Sequence, residues 1–128
     1  MRGVCALLGL VLVLAGCGRD RDRPVDRVES GRKVFARCAN CHQVGPNARN
    51  IFGPELNGIV GRRAGGLPGY AYSPALRQAG FVWDEATLAA FLRDPQKVVP
   101  GNSMRFWGLS DDEQIADLLA YLRTHPGS

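Results

Sequence analysis

The sequence predicts an all-α domain, built from a few short helices joined by long loops. Three observations predict it. Apolar residues recur at helical spacing in three short stretches, near Val28–Cys38, Asp84–Leu92 and Ile115–Leu122. No stretch calls for a strand by alternating apolar and polar residues. From Gln43 to Gly80 the chain is rich in Gly and Pro and keeps no sustained period. So long a loop is unusual in a compact domain, and it makes sense if the loops wrap something other than a protein core.

With 128 residues the chain has room for one domain. Its first segment is a leader. Arg2 supplies a positive start, and Val4 to Leu14 is an apolar run too short to span a bilayer, so residues 1–16 read as a signal peptide. The run ends in Leu14-Ala15-Gly16-Cys17, which resembles a bacterial lipobox, in which Cys17 would be lipidated and become the new N-terminus. An ordinary cleavage site with a chance cysteine is the other reading. Residues 17–27 alternate in charge and hold little apolar content, as a solvated tether would. The folded domain is expected over 28–128.

Within that domain the first helix is expected to begin near Val28 and run into the cysteines. Asp84 is the N-cap candidate of a second helix, with Leu88, Phe91 and Leu92 on one face and Pro95 past its end. Val98 to Gly108 reads as loop. Ser110-Asp-Asp-Glu113 has the form of a capping box. It opens a C-terminal helix with the stripe Ile115, Leu118, Leu119 and Leu122, which Pro126 and Gly127 terminate. A core of about a hundred residues is thin, and a buried cofactor would help it.

The formal charge of +4 is spread out, with no basic run interleaved with aromatics, so a nucleic-acid partner is not expected. The four cysteines are accounted for without a disulfide. Cys5 falls in the leader, Cys17 is the lipidation candidate, and Cys38 and Cys41 remain.

Those two sit in Cys38-Ala-Asn-Cys41-His42, the sharpest signal in the chain. Two thiols at this spacing can form thioethers to the two vinyl groups of one haem, and the adjacent His then reaches the iron. A zinc site would need four ligands. The only other His, His125, lies in the C-terminal tail and reads as solvated. A thioredoxin-like redox pair would need a βαβ context, which is absent. The second axial ligand follows by elimination, because past the leader the chain has one Met, Met104, and one spare His. An isolated Met is more often a core filler, but Met104 sits in a loop beside Pro100-Gly101. A thioether there favours ferrous iron and raises the potential.

From about Val28 to His125 the sequence resembles the small class I cytochromes c, of the mitochondrial and bacterial periplasmic type. The matched pattern is Gly31-x-x-x-Phe35, Cys38-x-x-Cys41-His42, Gly53-Pro54-x-Leu56-x-Gly58-x-x-Gly61-Arg62 and Pro68-Gly69-Tyr70-x-Tyr72-Ser73. It continues through Gly80-x-x-Trp83, Pro95, Pro100-Gly101-x-x-Met104-x-Phe106 and Asp117-Leu118-x-Ala120-Tyr121-Leu122. The resemblance implies the small cytochrome c fold around one haem c, covalently held through Cys38 and Cys41. It implies that the Pro54 carbonyl accepts the His42 ring N–H. Arg62, Tyr72 and Trp83 would hold a buried haem propionate, and Phe106 would touch the cofactor. Gly31 and Phe35 would cross the C-terminal helix near Leu118 and Tyr121.

Three departures stand out. Phe91 replaces a frequent Tyr facing the Met, Leu76 replaces a usual Asn, and Asn102 replaces a usual Thr. A drier, less polar pocket is expected. The family's basic ring is thinned: Gln96 and Ser103 stand at usual Lys positions, while Arg37, Lys97 and Arg105 carry charge. The function implied is a membrane-tethered electron shuttle on the periplasmic side, and not an enzyme. It would take one electron from a quinol-oxidising bc-type complex or another dehydrogenase and pass it to a terminal oxidase or another reductase. A haem with six ligands leaves no open position for a substrate. Two alternatives stay open. One is a peroxidase or small-ligand-binding haem protein in which Met104 leaves the iron. The other is a dedicated subunit of one oxidoreductase.

Overall fold

A computed structural model describes residues 24–127. The expected signal peptide, Cys17 and the expected tether up to residue 23 lie outside the described residues. Five helices follow in order: α1 Pro24–Phe35, α2 Pro74–Arg77, α3 Glu85–Arg93, α4 Pro95–Val98 and α5 Asp112–Arg123. Among the described residues no strand forms, and Arg63 and Val82 make an isolated antiparallel bridge. None of these helices is long and apolar enough to cross a membrane.

Helix α1 begins four residues before the expected boundary, so residues 24–27 belong to the helix and not to the expected tether. Pro24 opens the helix, where a missing N–H costs nothing. Asp26 lies in the first turn and Arg32 and Lys33 in the last, each sign matched to the helix dipole. Arg27 then reaches Asp117 of α5 at 3.3 Å. The charges that look like a solvated run therefore belong partly to a helix–helix contact.

Helices α1 and α5 cross at Gly31. A Cβ there would stand 1.9 Å from the Asp117 carbonyl oxygen and 2.7 Å from Tyr121 Cβ, so only Gly lets the backbones approach this closely. Beside the crossing Phe35 packs on Tyr121 with ring centroids 5.4 Å apart. The whole predicted stripe of α5, Ile115, Leu118, Leu119 and Leu122, is buried. Its N-cap is Asp111 rather than Ser110. The Asp111 carboxylate accepts from the amides of Glu113 at 2.9 Å and Gln114 at 3.4 Å. A carboxylate at the cap adds charge to the hydrogen bonds, which a Ser hydroxyl cannot match.

Asp84 caps α3 by accepting from the Thr87 amide at 2.7 Å, and Leu88, Phe91 and Leu92 face the core. Behind α3, Trp83 stands edge-on between Phe81 and Phe91, at 4.8 and 4.9 Å. Helices α2 and α4, four residues each, carry no periodicity for a sequence reading to detect. Each is set by a side-chain cap followed by Pro: Ser73 accepts from Leu76 N at 3.2 Å, and Asp94 from Lys97 N at 3.1 Å.

His125 corrects the expectation of a solvated tail. The end of α5 folds back so that the His125 carbonyl accepts from Gly58 N at 2.8 Å. The ring stands edge-on to Tyr121 at 4.8 Å, and its Nε2 is buried without a hydrogen-bond partner.

Candidate functional site

The helices enclose a largely apolar crevice of about 430 Å³. The turn after α1 supplies Cys38, Cys41 and His42. The central loops supply Phe52, Pro54, Tyr70 and Tyr72, α2 supplies Leu76, and Trp83 lines the wall ahead of α3. Helix α3 adds Leu88, Phe91 and Leu92, α5 adds Leu118 and Leu122, and the loop after α4 adds Met104 and Phe106. Backbone bonds from Cys41 N and His42 N to the Cys38 carbonyl, at 3.0 and 2.8 Å, wind the motif so that all three side chains reach the same crevice.

The protonation states suit a haem better than the rival chemistries. His42 is buried, and its Nδ1 donates to the Pro54 carbonyl at 2.7 Å. Burial pushes its pKa down while the Pro54 bond partly opposes, so the ring stays neutral and Nε2 keeps its lone pair. Burial pushes the Cys38 thiol up to about 11. Zinc binding and thiol exchange both need a thiolate, which this environment disfavours. No group of three or more His, Cys, Asp or Glu suited to a metal ion occurs among the described residues. Two thiols, one oriented imidazole and a thioether around an apolar cleft fit a haem c. When bound, it supplies a one-electron iron couple.

The loop carrying Met104 is tied from within. Asn102 is buried; its Nδ2 donates to the carbonyls of Pro95 and Val99 at 2.9 and 2.8 Å, and its Oδ1 accepts from Met104 N at 3.0 Å. Gln96 donates to the Asn102 carbonyl at 3.0 Å and accepts from Gly101 N at 3.1 Å. Sequence reasoning read these two residues as departures, a lost network member and a lost charge. Both are backbone braces. Phe91 and Leu76 do line the crevice as apolar walls, whereas the polar groups of Asn102 point into its own loop.

The three residues assigned to a propionate separate. Tyr72 and Trp83 are buried and line the crevice. Burial pushes the Tyr72 hydroxyl up, opposed by Arg62 beside it. Arg62 does not line the crevice. Its guanidinium is spent on the Glu55 carboxylate at 2.9 Å, the Glu55 carbonyl at 2.7 Å and the Asn57 carbonyl. Glu55 was missed by sequence reasoning; the one signal was an acidic residue beside Pro54 in a segment that folds inward.

A short-helix fold around a crevice with both motif cysteines and an oriented histidine defines a c-type haem protein. A family profile for cytochrome c matches residues 28–126. The chain is 43% identical over 122 residues to a cytochrome c2 of Rhodomicrobium vannielii, covering 95% of this chain and 94% of that one. It is 45% identical to a cytochrome c of Sesamum indicum, over 78% of this chain and 91% of the relative. The solved structure of cytochrome cH from Methylobacterium extorquens superposes with a TM-score of 0.71 at 46% identity, covering 76% of this chain and 97% of that chain. The chain belongs to the cytochrome c family. It carries one haem c, covalently attached through Cys38 and Cys41, and is a single-haem electron carrier.

Proposed function

We propose that this carrier is exported through its leader, anchored by a lipid on Cys17, and shuttles electrons between membrane redox complexes on the periplasmic side. Its iron is held by His42 and Met104. Its donor is a quinol-oxidising bc-type complex, and its acceptor a terminal oxidase or another reductase. The observation that carries the electron-transfer reading is the pair of groups lining one apolar crevice, the His42 imidazole fixed on Pro54 and the Met104 thioether on a braced loop. With both sides of the iron taken, outer-sphere transfer is the chemistry left. Tyr72 and Trp83 hold a propionate at the crevice wall, with Arg62 lowering the cost of its charge from one layer behind, and Phe106 contacts the ring system.

The start of α1 at Pro24 supports a short anchor. From Cys17 to Pro24 an extended chain reaches about 25 Å at most. Such confinement puts the domain at an effective concentration near membrane partners that linker geometry can raise to mM. The test is fractionation of cells making the wild type and Cys17→Ala. The proposal expects wild type in the membrane fraction and released only by detergent, and a folded, haem-loaded variant in the soluble fraction. A variant that stays on membranes through a high-salt wash contradicts the anchor.

A further inference from the structure

Trp107 is fully exposed, and nothing in the fold accounts for it. An indole left wholly in water is an uncommon use of Trp, which normally buries most of its large surface. The other strongly exposed aromatic, Phe52, lines the crevice, where the cofactor would cover it. Trp107 does not line the crevice. It follows directly on Arg105 and Phe106, which do, so it continues the segment that borders the mouth.

The backbone beneath it is fixed on both sides. Gly108 follows at φ +102, and a Cβ there would stand 2.0 Å from the Arg93 carbonyl oxygen. Leu109 N donates to the Leu92 carbonyl at 2.8 Å and its side chain is buried. Phe106 packs against the core on the other side. A backbone held this way gives up little freedom on binding. Arg37 and Arg105 line the crevice and supply positive charge there. The nearest acidic side chains in sequence are engaged: Asp111 caps α5, and Asp112 pairs with Arg93.

We propose that Trp107 is the apolar anchor of a docking surface for an acidic redox protein, its indole entering a recess on the partner while Arg37 and Arg105 face the partner's carboxylates. This deepens the electron-carrier reading and rests on it. A protein partner is favoured over a lipid surface, because a bilayer against this rim would seal the crevice mouth in hydrocarbon and bar the partner from it. A rim with few charges and one Trp on a fixed backbone places affinity in a central hot spot rather than in a field of many charges.

The test uses washed native membranes and added quinol, with the Cys17→Ala form as background so that bulk concentration defines KM. Trp107→Ala is expected to raise KM by roughly tenfold, the scale of a hot-spot Trp, by the same factor at low and physiological salt. The visible spectrum, potential and kcat at saturation stay unchanged. Trp107→Phe recovers part of the loss. Arg105→Gln flattens the salt dependence instead, and Val25→Ser, which removes an exposed apolar residue from the start of α1, changes nothing. An unchanged KM in Trp107→Ala overturns the docking proposal and leaves the carrier reading standing. Trp107-dependent binding to phosphatidylglycerol–phosphatidylcholine vesicles, with KM unaltered, would assign the indole to lipid and also overturn it. If native membranes do not turn over the wild-type residue set at all, the carrier reading for membrane complexes fails, and the docking proposal with it.

Discussion

Asn102 Oδ1 accepts the Met104 amide at 3.0 Å while Asn102 Nδ2 bridges the carbonyls of Pro95 and Val99, so one buried side chain ties the end of α4 to the proposed ligand. Truncation leaves the Met104 amide without its partner and takes one of two donors from each of the carbonyls of Pro95 and Val99. Asn102→Ala is expected to destabilise the ferric holoprotein by about 2 kcal/mol, within the range for buried polar groups left unpaired. Chemical denaturation measures this. The same variant should lose part of its near-infrared sulfur-to-iron absorption, because the Met104 loop is freed.

The Gly31 crossing admits no side chain. Gly31→Ala puts a methyl where the Asp117 carbonyl oxygen stands 1.9 Å away. Helices α1 and α5 must separate, and overpacking of this kind costs about 3 kcal/mol. Thermal melting of the holoprotein checks it, and an unaltered melting temperature would mean that the crossing is looser than described.

Arg62 braces the segment after Pro54. Its head and the Glu55 carboxylate are both mostly buried, with side-chain exposures of 13% and 17%. Arg62→Ala takes the counter-charge from that carboxylate, which keeps only the Asn57 amide, and the guanidinium donor from the Glu55 and Asn57 carbonyls, and should cost about 3 kcal/mol, the low end for breaking a buried pair. Glu55→Gln keeps an acceptor and should cost less. Denaturant midpoints of the two variants decide the order.

Asp84 gives a pH signature. The backbone hydrogen bond from Thr87 holds its carboxyl below the ordinary value in the folded state. The unfolded chain therefore takes up the proton first on acidification, and the stabilisation is present above the unfolded pKa and lost as pH falls through the folded one. Asp84→Ala should melt lower than wild type at neutral pH, with the gap closing below about pH 4. A gap that is constant with pH would show that the charge is not what the cap uses.

What could be read in the sequence was the local and the periodic. The Cys38–His42 motif, the Asp84 cap and the α5 stripe each declare themselves within a few residues. What could not be read depended on distant partners. Pro24 to Arg27 looks like tether until Asp117, far along the chain, takes up Arg27. His125 looks like tail until Tyr121 and Gly58 hold it. Asn102 and Gln96 register as missing family features, because a single chain shows which residue stands at a position and not which backbone groups it will satisfy. Helices α2 and α4 are too short to show a period, and only their Ser73–Pro74 and Asp94–Pro95 starts mark them.

The most direct test of the central claim is the near-infrared spectrum of the ferric protein, wild type against Met104→Ala, with a redox titration of both. His/Met ligation predicts a weak sulfur-to-iron band in the wild type, its loss in the variant, and a drop in potential of at least ~100 mV, since axial ligand identity is a main lever on haem potential. A band that survives Met104→Ala, or a wild-type ferric spectrum that is high-spin, would contradict it.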